Sequence, residues 1–407
     1  MSVAASGDAP IDDLSRETSA MALQLYWFLP SHGDGRNLVA RPGGAGGVGD
    51  RRRVCDPNYL AQVAEAADGQ GFHGALLPFG LFCEDPWLIG AAVAARTERL
   101  RFMVAVRPGL MSPTLVAQMS ATFQRITGDR LELNVVTGGD PEEQHRYGDW
   151  LDHAARYART SEFLEILRSS WAGPTDLDGV HYTVAGARVM RPPRSVPKIF
   201  VGGSSDAAVR VACRHADVYL CWAEPPAGIA EQFTRVRAHA AGAGTAAPAC
   251  GTRLHVISRD RAEDAWAVAE ALSADLEPDT VRAARRRMEA SDSVGQSRMA
   301  ALHDEHRERG PEVAPNLWNG IGLVRQGPGL TLVGSHAEVA ERIAELHDVG
   351  VEYLILSGQP HLEEAYWVGE GVIPLLRERG VLAGYGDGPG APPHSGHLAG
   401  AVPGAAR

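Results

Sequence analysis

Arg253 and His255 lie two apart in the run Arg-Leu-His-Val-Ile-Ser, which reads as a strand. Residues i and i+2 of a strand share a face, so a guanidinium and an imidazole point the same way, with Leu254 and Val256 on the other side. If that face is the inside of a closed sheet, the guanidinium needs an anion beside it or a carboxylate to pair with. Two readings stand on spacing alone: a pocket for an anionic substrate or cofactor, or an internal ion pair with a residue such as Glu84 or Glu224.

A second cluster is Gly202-Gly203-Ser204-Ser205, between a strand and a helix spanning 206–215. Backbone N–H groups at a helix start, with two hydroxyls, suit a phosphate. The plainer reading is a serine N-cap after two turn glycines. Cys83 stands in the turn after another strand, as a small apolar residue or a pocket residue. His303 and His306 have a spacing that could hold a metal, but they fall in a charged, solvent-facing stretch, and no metal site is expected. The glycines of 43–49 precede no βαβ unit, so they are not a dinucleotide fingerprint; neither a P-loop nor a Gly-x-Ser-x-Gly elbow occurs.

The elements that must hold these groups follow from the apolar pattern. Short buried-type runs are expected as strands at 24–29, 74–78, 101–106, 131–136, 198–201, 217–222, 253–258 and 353–357. Amphipathic segments at 58–70, 113–126, 154–171 and 337–348 alternate with them, the last opened by the capping-box pattern Ser335-His-Ala-Glu338. Eight such units predict one (β/α)8 barrel spanning 22–379, the competing architecture being an open doubly wound sheet. The Arg-rich stretch 277–315, between strands seven and eight, is expected as a mobile lid on the catalytic face, and the glycine-rich 41–53 as a second long loop there. Residues 1–21 and 380–407 are expected to be flexible tails, the latter because 18 of its 28 residues are Gly, Pro or Ala.

Composition narrows the function. The 39 basic and 50 acidic side chains leave a formal charge of −11, which disfavours nucleic acid and anionic membrane as partners. Any bound anion then needs a local basic pocket. No apolar run is long enough to cross a bilayer, and residues 1–20 are polar and acidic rather than leader-like. Five scattered cysteines without a Cys-x-x-Cys pair predict reduced thiols and a cytoplasmic protein.

Read in order, the strand-end motifs are Tyr26-Trp-Phe-Leu-Pro-Ser-His-Gly-Asp-Gly35, Cys83-Glu-Asp-Pro-Trp87, Asn134-Val-Val-Thr-Gly-Gly-Asp140, Phe200-Val-Gly-Gly-Ser-Ser-Asp206, Arg253-Leu-His-Val-Ile257, Ser291-Asp-Ser-Val-Gly-Gln296, Gly322-Leu-Val-Arg325 and Pro360-His-Leu-Glu-Glu-Ala-Tyr366. This ordered set resembles the alkanesulfonate monooxygenases, two-component enzymes within the bacterial-luciferase-like flavin monooxygenases. The resemblance covers about 22–378. It implies a TIM barrel with insertions, reduced FMN delivered by a separate NAD(P)H-dependent FMN reductase, reaction of that FMN with O2, and cleavage of a carbon–sulfur bond to an aldehyde and sulfite. It also implies a dimer or tetramer.

By position the resemblance places the FMN phosphate at Ser204 and Ser205 with help from Tyr157, and Thr137 and Gly138 along the flavin. It matches His32, Cys83 and Trp222 to substrate-pocket residues, and Arg253, His255, Arg325, Gln359 and His361 to the catalytic group. A sulfonate is a permanent, weakly basic anion, for which arginine is the natural partner. Two positions depart from the family. Gln359 replaces a tyrosine, and Leu81-Phe82 stand where an arginine and a serine are usual, giving a more apolar entrance. These departures point to a bulkier or differently functionalised substrate. A further alternative keeps the barrel but uses a deazaflavin for hydride transfer.

Overall fold

The computed structural model describes residues 22–38, 53–305 and 310–383. Eight parallel strands form its centre: β1 Gln24–Phe28, β2 Gly74–Leu77, β3 Arg101–Val106, β4 Leu131–Val135, β5 Lys198–Gly202, β6 Val218–Trp222, β7 Ala249–Arg259 and β8 Tyr353–Ser357. Each pairs with the next, and β8 returns to β1 through Tyr26 opposite Ile355. The sheet is therefore closed, and the open doubly wound alternative does not hold. Helices cover the outside, so both faces of every strand are buried, as their near-continuous apolar runs require.

The seven expected strands other than β7 agree with the structure to within about a residue. β7 starts four residues early, at Ala249, and runs to Arg259, long enough to serve two neighbours. Its lower half pairs with β6 on one side, Trp222 opposite Arg253. Above the end of β6, an unexpected strand, Thr331–Ser335, takes over that edge, Thr331 opposite His255. It follows a Gly-Pro-Gly-Leu segment and contains a glycine of its own, which hid it from the apolar pattern. The outer hairpin of Thr175–Asp178 and Thr183–Ala187 was not expected either.

Inside the cylinder, Tyr26, Phe28, Leu76, Met103, Phe200, Leu220, Tyr353 and Ile355 pack on one another. Lower down, the fully buried Glu132 accepts from Tyr26 Oη at 2.8 Å and from Arg101 Nε at 2.9 Å, while Lys198 Nζ donates to Tyr353 Oη at 2.7 Å. The interior is thus a packed core, and in barrels of this kind chemistry collects at the upper rim, where the strands end.

The 277–315 insertion lies between β7 and β8 and contributes the helices Pro278–Glu289 and Val294–Glu305. Most of the 41–53 loop, the tail 1–21 and residues 384–407 lie outside the described residues, as does His306 of the His303/His306 pair. Among the described residues, no group of His, Cys, Asp and Glu is arranged to hold a metal, and no helix is long and apolar enough to cross a membrane. All five cysteines are free thiols.

Candidate active site

β1 ends in Phe28, whose ring becomes the floor of the site. Arg253 stacks on it, with its guanidinium carbon 4.2 Å from the ring centroid. The imidazole of His32 meets the same ring edge-on at 5.9 Å, and His361 lies tilted over it at 5.5 Å. Two long-range partners, Arg253 and His361, and the nearby His32 therefore converge on one aromatic side chain. Register explains why: Ile355 opposite Arg253 and Ser357 opposite His255 place both β7 side chains on the interior face.

Among the described residues, no carboxylate pairs with the inward guanidinium. Glu224 is taken by Arg298, which donates from Nε at 2.5 Å and from Nη2 at 2.7 Å, and by Gln232 Nε2 at 3.0 Å. Glu84 is exposed. Arg253 Nε is sealed from solvent with no hydrogen-bond partner among the described residues. The internal-ion-pair reading fails, and an uncompensated cation faces the rim. Burial, reinforced by the charge of Arg325, lowers the Arg253 pKa to about 9.

The histidine tautomers follow from hydrogen-bond partners. Arg325 Nη2 can only donate, so His32 Nε2, at 2.8 Å, is the acceptor and Nδ1 carries the proton. His255 Nε2 lies 3.1 Å from the carbonyl of Pro328, so Nε2 is the donor and the buried Nδ1 keeps a lone pair. His361 Nδ1 donates to Asp34 Oδ1 at 3.0 Å, which leaves the buried Nε2 as an unpartnered acceptor. Burial and the nearby arginines push His32 down to about 3 and His255 well below its ordinary range, so both rings are neutral. The floor thus offers guanidinium and N–H donors beside two imidazole lone pairs.

Gln359 is buried at the same rim, but its Nε2 donates to the carbonyl of Gly35 at 2.8 Å. The amide ties down the loop after β1. The Cys83 Sγ faces the carbonyls of Pro78 and Gly80 at 3.5 and 3.4 Å. Burial raises this thiol to about 11, so it is no thiolate. Its loop is held from below: Glu143 accepts from Leu81 N at 2.9 Å and pairs with Arg107 at 2.8 Å, and Arg107 sits on the rings of Phe79 and Tyr147. Leu81 and Phe82 are more than half exposed, and Phe82 approaches His32 edge-on at 5.9 Å. These two exposed apolar side chains are the ones expected to make the entrance more apolar.

The second cluster forms on β4, β5 and the His153–Ala172 helix. Thr137 Oγ1 is 3.2 Å from Thr160 Oγ1. Gly138 has φ +90°, and a Cβ there would strike the Gln144 amide. Gly203, at φ +139°, has the Tyr157 hydroxyl only 2.7 Å from where its Cβ would stand. Burial raises the Tyr157 phenol against the opposing Ser205 and Thr137 hydroxyls. Ser205 caps the Asp206–His215 helix, accepting from Ala208 N at 3.2 Å, which leaves its own proton free to donate. Ser204 Oγ donates to Gln232 Oε1 at 2.8 Å, so its proton is committed inside the protein. Arg235 donates to the Ser204 carbonyl and brings a guanidinium to this turn that the sequence reading did not include.

Trp222, opposite Arg253 in register, stands between the two clusters and meets the insertion at Gly295, where a Cβ would lie 3.2 Å from its ring. Asn134 Oδ1 and Ser357 Oγ are further buried atoms without partners on the interior face. Orphaned buried polar atoms are rare in folded proteins unless a ligand or water completes them. A flat polar ring system such as a flavin, set between these atoms with its phosphate at the 203–205 turn, suits this donor and acceptor set. Phe28, Asp34, Asn134 and Arg235 were missed as site residues. Phe28, Asp34 and Asn134 stood within strand-end motifs but were not singled out, and Arg235 carried no signal.

The chain matches the luciferase-like monooxygenase family model over residues 23–353 and belongs to that family. Among solved structures it is similar to a riboflavin lyase with modified FMN and riboflavin, at 20% identity and TM-score 0.73, covering 89% of this chain and 93% of that one. It is similar to the EDTA monooxygenase of Chelativorans sp. BNC1, at 20% identity and TM-score 0.71, covering 89% and 95%. The coenzyme F420-dependent tetrahydromethanopterin reductase of Methanopyrus kandleri shares the fold at 16% identity and TM-score 0.61, covering 88% and 99%.

Proposed function

We propose that the protein is the oxygenase of a two-component system that uses reduced FMN and O2 to oxidise an acidic organic molecule, an organosulfonate that loses sulfite. The observation that carries this reading is the buried, carboxylate-free guanidinium of Arg253 beside Arg325 at the barrel mouth. A buried guanidinium with no carboxylate partner of its own suits an anion that arrives with the substrate.

Reduced FMN, when bound, supplies the electrons that activate O2. Ser205, Tyr157 and the 203–205 turn hold its phosphate, with Ser204 setting the turn through Gln232. Thr137 and Gly138 lie along the ring system. Arg253 and Arg325 grip the sulfonate with charge-assisted hydrogen bonds. The His361 Nε2 lone pair takes a proton released during the reaction, and the His255 Nδ1 lone pair orients the substrate as a hydrogen-bond acceptor. His32, Cys83 and Trp222 line the substrate space, and the 277–315 insertion excludes water as a lid. The working unit is the body of residues 22–379, assembled as a dimer or tetramer in the cytoplasm and served by an NAD(P)H-dependent FMN reductase.

The exposed Leu81 and Phe82 favour a substrate with a bulky apolar body over a short alkanesulfonate. Anaerobic titration with reduced FMN, then mixing with O2 and a panel of sulfonates while measuring sulfite, tests the reading. Tight FMN binding with sulfite release is expected, rising with substrate bulk. Hydride transfer from reduced deazaflavin without O2 consumption would replace the reading.

A further inference from the structure

Asp34 is 5% exposed, and among the described residues no Lys or Arg side chain hydrogen-bonds to its carboxylate, although its charge reaches Arg325. It accepts from Gly35 N at 2.8 Å, from the Tyr59 hydroxyl, from His361 N at 2.7 Å and from His361 Nδ1 at 3.0 Å. Four donors on two oxygens leave it nothing to give to solvent. Its backbone is fixed as well, exchanging two hydrogen bonds with Arg53 at 3.0 and 2.7 Å. Arg53 in turn donates to Tyr59 Oη at 3.2 Å and to Glu363 at 2.7 Å, two residues beyond His361. The loop after β1, the Pro57–Gln70 helix and the His361–Trp367 helix are thereby tied at one carboxylate.

We propose that Asp34 is the positioning residue for His361, holding its proton on Nδ1 so that Nε2 stands in the site as a proton acceptor. Two contacts from Asp34, to the backbone and to the ring of the same residue, leave the imidazole one orientation. Nε2 is buried, lacks any partner among the described residues, and belongs to the ring that lies over Phe28 beside Arg253. In the step assigned here, the O–H bond on the oxidised carbon of the substrate breaks and its electron pair closes the aldehyde C=O. The C–S pair leaves with sulfite, and the Nε2 lone pair forms an N–H bond with the proton. The imidazolium so formed is neutralised by Asp34, and the proton leaves to water with the product. The role rests on the proposed oxygenase reading only for its substrate; the tautomer is a property of the chain itself. The charged and titratable groups around the ring are Asp34, Tyr59 and Arg53 on one side, Glu363 on its own helix, and His32, Arg253, His255 and Arg325 across the floor.

The test uses the full chain labelled with 15N-histidine, with His361 assigned by comparison with His361→Gln. Wild-type His361 is expected as the Nδ1–H tautomer. Asp34→Asn is expected to mix or reverse the tautomers and, with 1-octanesulfonate as probe, to lower kcat about a hundredfold with KM changed less than about threefold. Reduced-FMN binding is expected to stay as in the wild type. Tyr59→Phe, which removes another donor from the same carboxylate, should keep the tautomer and lower kcat less than about threefold. An Nε2–H tautomer in the wild type overturns the proposal, as does an unchanged kcat in Asp34→Asn. A Tyr59→Phe loss as deep as that of Asp34→Asn, with the tautomer intact, reduces Asp34 to a structural residue. Wild type inactive on every sulfonate would sink the substrate reading, while the tautomer measurement still decides the role of Asp34.

Discussion

Arg325 Nη2 donates to His32 Nε2 at 2.8 Å, and this bond decides which nitrogen of His32 carries the proton. The two residues are nearly three hundred positions apart in the chain. Their contact puts a permanent cation against a ring that must then stay neutral. Burial first, and Arg325 next, push His32 down to about 3.

This neutrality has a consequence for acid stability. An unfolded histidine titrates near 6.5, whereas His32 in the fold takes its proton only near 3, and His255 also stays neutral far below 6.5. As pH falls from 6.5 toward 3, the unfolded chain binds protons that the folded site refuses, so stability drops over that window. The slope is at most about 1.4 kcal/mol per pH unit for each such ring. Thermal unfolding of the protein without FMN should therefore show Tm falling by several degrees between pH 7 and pH 5. A flat Tm across that interval would contradict neutral burial.

Arg253 separates stability from binding. Its side chain is buried without an acid, so Arg253→Met removes a desolvated charge while keeping most of the volume. Tm should stay level or rise by about 2–4 °C. The KM for 1-octanesulfonate should rise about 10–100-fold, the worth of charge-assisted hydrogen bonds of about 1.5–3 kcal/mol. Differential scanning fluorimetry and steady-state sulfite assays read the two arms. A large loss of stability would mean that Arg253 has an acidic partner after all.

The phosphate turn can be probed at one backbone atom. Gly203 has φ +139°, and a methyl group there would press on the Tyr157 hydroxyl and on Ala208. Gly203→Ala should weaken reduced-FMN binding at least about tenfold, about 1.4 kcal/mol. The far-UV circular dichroism should match the wild type. Anaerobic fluorescence titration measures the binding, and unaltered affinity would move the phosphate elsewhere.

Cys83 should behave as an inert thiol. With its pKa raised to about 11 by burial, it is almost wholly protonated at pH 8. Alkylation by iodoacetamide, followed by mass spectrometry, should be slow at pH 8 and accelerate up to pH 11. Cys83→Ala should lower kcat less than about tenfold. Rapid labelling at pH 7 would restore a thiolate role.

Much of the architecture was legible along the chain. Strands buried on both faces read as short apolar runs, and caps such as Ser335 with Glu338 announce helix starts through local hydrogen bonds. That Arg253 and His255 share a face needed only the two-residue strand period, whereas barrel closure made that face the inner one. The strand Thr331–Ser335 was missed because its identity depends on an edge of β7 left free above β6, which no local pattern records.

The residue chemistry and its order on the rim were thus set by the chain alone, because strand period, turn glycines and capping are short-range. Which groups meet was decided only by closing the barrel. Tertiary contact took Glu224 for Arg298, left Arg253 without an acid, spent the Gln359 amide on Gly35 and set Asp34 under His361. Hydrogen-bond partners hundreds of residues apart fix charge and tautomer, and those depend on distance in space, which sequence spacing does not encode.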